Sequence, residues 1–149
     1  MRNKHIIFGL IITALAFGCR KNDEVVAPPD PIAGKGGNNK MIVTAKHYLK
    51  ELDSCMVYLK YNTLTVPKTM MFDDSAKVTL VGTRYQATFD SLKNGKYYVY
   101  CVGRDTNIAK PNDSLWGDGG ITIVDTMART YDMYISTINR QEQLSHYHY

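Results

Sequence analysis

The stretch "ATFDSLKNGKYYVYCVGRD", residues 87–105, decides the fold. Its second half, "KYYVYCVG" (96–103), sets Tyr97, Val99 and Cys101 on one face and Tyr98, Tyr100 and Val102 on the other. That alternation has the period of a β-strand. Lys93-Asn94-Gly95 supplies a turn, because asparagine and glycine tolerate the backbone angles that turns need. The first half ends in Phe89 and Leu92, so the segment reads as strand, turn, strand.

The same period runs outward on both sides. "MIVTAKHY" (41–48) is rich in β-branched residues. "SCMVYLKYN" (54–62) alternates Cys55, Val57, Leu59 and Tyr61 against Met56, Tyr58 and Lys60. "LTVPKTMMF" (64–72) is a weaker strand, since Pro67 cannot donate to a ladder. "KVTLVG" (77–82), "RYQATF" (84–89), "GGITIVD" (119–125) and "ARTYDMYIST" (128–137) complete the set. Asp73-Asp74 and Asp118-Gly119-Gly120 mark further turns. Seven or eight short strands at spacings of about ten residues predict an all-β chain forming a single antiparallel β-sandwich. Residues 41–139 are of a size usual for one domain.

The quoted stretch resembles the late part of prealbumin-like (transthyretin-like) and carboxypeptidase-regulatory-like sandwich domains, through Phe89, Leu92, Gly95 and Tyr97. "CMVYLKYN" resembles the second strand of those modules, and "GDGGITIV" a later one. The resemblance implies an Ig-like sandwich and is almost silent on function, because one sandwich hosts many tasks.

The N-terminus carries a different kind of information. Arg2 and Lys4 precede an apolar run from Ile6 to Phe17, too short to span a bilayer. A basic head, a short apolar run and a small-residue boundary predict a signal peptide over residues 1–18. Ala16-Phe17-Gly18-Cys19 resembles the lipobox of bacterial lipoproteins, which implies that Cys19 is acylated and becomes the mature N-terminus. More than one acyl chain is what stable anchoring requires. Asp23-Glu24 resembles acidic tags of outer-membrane lipoproteins, or is a solvated linker. "VAPPDPIAGKGGNNK" (26–40) offers few large apolar residues, so residues 19–40 are expected to be the lipidated N-terminus and a flexible tether. Residues 140–149 are expected to be a polar tail.

Composition excludes one class of partner. The chain holds 18 Lys plus Arg and 14 Asp plus Glu, a net charge of +4, and loss of Arg2 and Lys4 with the signal brings this near +2. No basic cluster remains to neutralise a row of phosphates, so no nucleic-acid partner is expected.

Catalytic chemistry is sparse. No G-x-S-x-G, HExxH or P-loop pattern occurs. Of four histidines only His47 lies in the domain, where it reads as a strand surface residue, so no enzyme and no cofactor are expected. His146 and His148, two residues apart in the tail, are too few for a closed zinc site. The stretch "GRDTNIAKPNDSLWGDGG" (103–120) reads as a long loop. Asp105, Asn107, Asn112, Asp113 and Asp118 offer oxygens to calcium, but the EF-hand run is absent and these are plain turn formers, so no metal is expected. This loop, with Trp116 beside Leu115, is the candidate contact surface; either Trp116 is exposed or it folds back to cap the sandwich.

Two functions are therefore expected alternatives: a non-catalytic binding module for a glycan or envelope partner protein, or a structural component of an envelope complex. Both place the domain at the outer membrane by its lipid. Cys55 and Cys101 remain open between a disulfide, which an oxidising compartment permits, and two buried thiols.

Overall fold

The computed structural model describes residues 29–104 and 114–145. Nine strands and one short helix follow in order: β1 (Lys35–His47), β2 (Lys50–Glu51), β3 (Ser54–Tyr61), β4 (Asp74–Lys77), β5 (Thr79–Val81), β6 (Arg84–Leu92), β7 (Gly95–Arg104), β8 (Ser114–Ile123), β9 (Thr130–Thr137) and α1 (Arg140–Ser145). They form two sheets. One has the order β2-β1-β6-β5, with β9 also paired to β1; the other has the order β4-β3-β7-β8. The all-β sandwich follows from the alternation. Cys55, Val57 and Leu59 of β3 and Tyr97, Val99 and Cys101 of β7 face Met41, Val43 and Ala45 of β1 and Ala87 and Phe89 of β6 in one core, all buried. Burying such side chains contributes about 1.5–3 kcal/mol each.

Several strands differ from the sequence reading, each for a physical reason. Residues 64–72 form no strand: Asn62 and Met70 adopt positive φ, and the Met70 N–H donates to the Pro67 carbonyl in a turn. Residues 77–82 are not one strand. The chain crosses between the sheets at buried Val78, whose N–H donates to the Cys55 carbonyl at 2.9 Å, so β4 and β5 belong to different sheets. The sandwich is antiparallel except at β1 and β9, which run parallel over Lys40–His47 and Thr130–Thr137.

The folded unit also begins before Met41. Tyr97 donates its hydroxyl to the Lys93 carbonyl at 2.7 Å and accepts the Gly34 N–H at 3.1 Å. The Ala33 N–H reaches the Asn62 side chain at 2.7 Å. Buried Asn39 donates to Asn94 and accepts the Arg129 N–H, bridging a register shift between β1 and β6. Asn39, which composition marks as tether, thus satisfies the Arg129 backbone N–H instead.

At the C-terminus, residues 140–145 are the helix α1 rather than tail; His146 and His148 lie outside the described residues. Asn139 and Glu142 form a reciprocal cap, each accepting the other's N–H at 2.8 Å. Glu142 also meets His47 Nε2 at 3.1 Å and accepts the Tyr48 hydroxyl. His47 is therefore not a surface residue; it is 3% exposed beneath this helix.

Candidate functional site: the outer face of the β4-β3-β7-β8 sheet

The inward parity of β3 and β7 fills the core, so the outward parity faces away from it. Ladder register aligns these outward residues in rows. Lys77, Met56, Val102 and Trp116 form one row, and Ser75, Tyr58, Tyr100 and Asp118 the next. Lys60, Tyr98 and Gly120 form a third. Strand spacing makes this a surface roughly 10–15 Å across. Met56, Tyr58, Tyr100, Val102 and Trp116 are all half-buried.

The irregular segment 62–73 folds over one end of this face. Phe72 stacks on Tyr100 with centroids 5.7 Å apart and planes inclined by 5°, and lies 5.2 Å from Tyr58. Tyr58 and Tyr100 are themselves 6.5 Å apart. Asp73 ties the segment down, accepting Lys60 Nζ at 2.9 Å and the Tyr61 N–H at 2.7 Å. Burial opposes the Asp73 charge, yet these bonds hold its carboxyl below the usual range. A groove of about 300 Å³ runs between Tyr58, Phe72, Asp73, Asp74 and Ser75.

Asp118 is the diagonal neighbour of Tyr98 across β7 and β8. Burial first, then the Asp118 charge, pushes Tyr98 well above the ordinary tyrosine value; Tyr100 is raised by the same two causes and by Tyr58. Both stay neutral hydroxyls, able to donate and accept.

The far end of the face is a second groove of about 360 Å³, lined by Ser54, Met56, Lys77, Val102, Arg104 and Ser114 among others.

Of the residues expected in a contact loop, Trp116 and Asp118 are on β8, because that strand begins at Ser114. Trp116 stands on the edge strand β8 opposite Val102, near the start of that strand, and exchanges backbone hydrogen bonds with Ile138 at 2.9 and 3.0 Å. Asp105, Asn107, Asn112 and Asp113 lie outside the described residues. The outward residues of β3 and β7 were visible as an alternating stripe; what the sequence could not show is that the stripes of β3, β7 and β8 adjoin. Among the described residues no group of three or more His, Cys, Asp or Glu could hold a metal ion.

Cys55 and Cys101 are both free thiols, 3% and 0% exposed. Cys55 stands opposite Gly103 and Cys101 opposite Val57, so the two are diagonal neighbours on the inner face. Cys55 Sγ donates to the Met56 carbonyl at 3.5 Å. The neighbouring thiol holds Cys55 below the ordinary cysteine value and pushes Cys101 above it, and burial raises Cys101 further.

No family model, curated protein or solved structure matches the chain.

Proposed function

We propose that the chain is a non-catalytic glycan-binding module, held at the outer membrane by a lipid on Cys19. The observation that carries this reading is the half-exposed aromatic face of Tyr58, Phe72, Tyr100 and Trp116 with hydroxyls and a carboxylate interleaved. Pyranose rings present apolar C–H faces that lie on aromatic rings, and hydroxyls that need both donors and acceptors. Tyr100, Asp118 and Ser75 supply those at the edges of the rings, while Tyr98 is buried beneath the face. The resemblance of Ala16-Phe17-Gly18-Cys19 to a lipobox supports the anchor, and the resemblance to prealbumin-like and carboxypeptidase-regulatory-like domains is compatible with an accessory module.

Trp116 is the sole tryptophan, so its emission reports this face directly. Titration with soluble polysaccharides should shift that emission, and Trp116→Ala should lower affinity at least about tenfold while leaving the melting temperature nearly unchanged. Unchanged affinity in Trp116→Ala would remove the reading. Separately, Cys19→Ala should block metabolic labelling with palmitate and processing of the precursor; normal labelling of that variant would remove the anchor.

A structural role in an envelope complex is favoured by one observation. Among the described residues β9 has a ladder partner, β1, on one side alone; β8 approaches its other side at Gly117 and Gly119 without forming a ladder, so the start of β9 is the more open part of that edge. Open edges invite strand addition. Cross-linking from cysteines placed at Asp132 would capture a partner chain if that reading holds.

A further inference from the structure

The two ends of the aromatic face differ in charge. At the Phe72 end every carboxylate has a partner: Asp73 is paired with Lys60 at 2.9 Å, and Asp74 with Lys35 at 2.7 Å. At the other end Lys77 and Arg104 line the 360 Å³ groove, and among the described residues neither has a carboxylate within ion-pair distance. Ser54 and Ser114 add hydroxyls to the same groove, and Met56 and Val102 form its apolar floor. Trp116 is in the same ladder row as Val102, Met56 and Lys77.

We infer that this groove binds the carboxylate of an acidic sugar, a uronate residue whose ring lies on Trp116. The inference rests on the glycan reading of the face and adds the charge of the ligand. The chemistry follows from the groups present. A guanidinium presents paired N–H donors that match the two oxygens of a carboxylate, an ammonium adds a point charge, and serine hydroxyls complete the acceptor's shell. A neutral sugar offers these cations no charge to pair with. The apolar floor beside Trp116 accommodates the ring while its charged substituent points to Arg104, the next outward position of β7 after Val102, and Lys77 across the floor on β4 adds positive charge to the groove.

The test uses two pairs of probes that differ in charge at C6 alone along the ring skeleton: tri-β-1,4-glucuronate against cellotriose, where a hydroxymethyl replaces the carboxylate, and trigalacturonate against its methyl ester. Each is titrated calorimetrically into the full chain in detergent, at low and high salt. The acidic member of a pair should bind at least about tenfold more tightly, and the advantage should shrink at high salt. Lys77→Gln and Arg104→Gln, both at exposed positions, should each lower the affinity for the acidic member far more than for the neutral one, removing most of that advantage. Equal binding of the acidic and neutral members, still dependent on Trp116, would overturn the uronate assignment and keep the glycan reading. Failure of all four probes to bind would overturn both. An acidic preference that survives the double substitution of Lys77 and Arg104 would move the anion site away from this groove and overturn the assignment.

Discussion

Phe72 lies flat on Tyr100, with ring centroids 5.7 Å apart and planes inclined by 5°. The pairing joins a residue of an irregular segment to the middle of a central strand, so it holds the segment 62–73 on the outer face. Phe72→Ala should destabilise the fold by about 1–2 kcal/mol in urea unfolding. A double-mutant cycle with Tyr100→Ala should return a coupling of about 0.5–1.5 kcal/mol. Zero coupling would mean that the segment does not rest on Tyr100.

Gly117 brings β8 against β9. A Cβ there would meet the Ser136 carbonyl oxygen at 2.2 Å and Ile135 Cγ2 at 2.9 Å. A backbone oxygen cannot rotate aside, so Gly117→Ala should cost about 2–3 kcal/mol. Gly82 is the control: nothing lies within 4 Å of its Cβ position, but its φ is +64°. Gly82→Ala should cost only about 1 kcal/mol, from the left-handed backbone. Equal shifts in guanidinium midpoint for the two variants would contradict the close approach of β8 and β9.

Glu142 makes docking of α1 dependent on acid. Burial raises its pKa, but the Tyr48 hydroxyl, the Asn139 N–H and His47 together hold it below the ordinary value of 4.5. A carboxyl lowered in the folded state contributes stability that is fully present above its unfolded pKa and is lost as pH falls through the folded one. Protection of the amides around residues 139–145, taken as the intrinsic exchange rate at each pH divided by the observed one, should therefore be high at pH 7 and should fall below the ordinary glutamate value. Glu142→Gln should be less protected at pH 7 and show little further change in protection over that window. A wild-type profile flat from neutral to acid would exclude the role.

The diagonal placement of Cys55 and Cys101 governs their redox state. Diagonal neighbours have Cα atoms roughly 7–8 Å apart, beyond the reach of a disulfide without backbone movement. Alkylation without reductant, followed by mass spectrometry, should modify both residues after unfolding and neither quickly in the native state. Unfolded protein that resists alkylation at both positions would show a bridge.

The sequence alone determined what depends on local order. Period-two alternation in 54–62 and 96–103 marked β3 and β7 and assigned each side chain to one of two faces, because successive side chains of a strand must point oppositely. Asn94-Gly95 placed the turn before β7, where Gly95 has φ +146°. The tertiary structure decided everything that depends on pairing. Trp116 and Asp118 read as loop residues until β7 supplied a partner for Ser114–Ile123, since the glycines of "GDGG" carry no alternation of their own. His47 read as surface because the residue that covers it, Glu142, lies 95 positions away. β1 and β9 run parallel, and residues 35–40 join β1, for the same reason. Parity along a strand is a property of the covalent chain; which strands stand side by side is settled by burial of surfaces from distant segments, and that is what gathers Tyr58, Tyr100 and Trp116 onto one face.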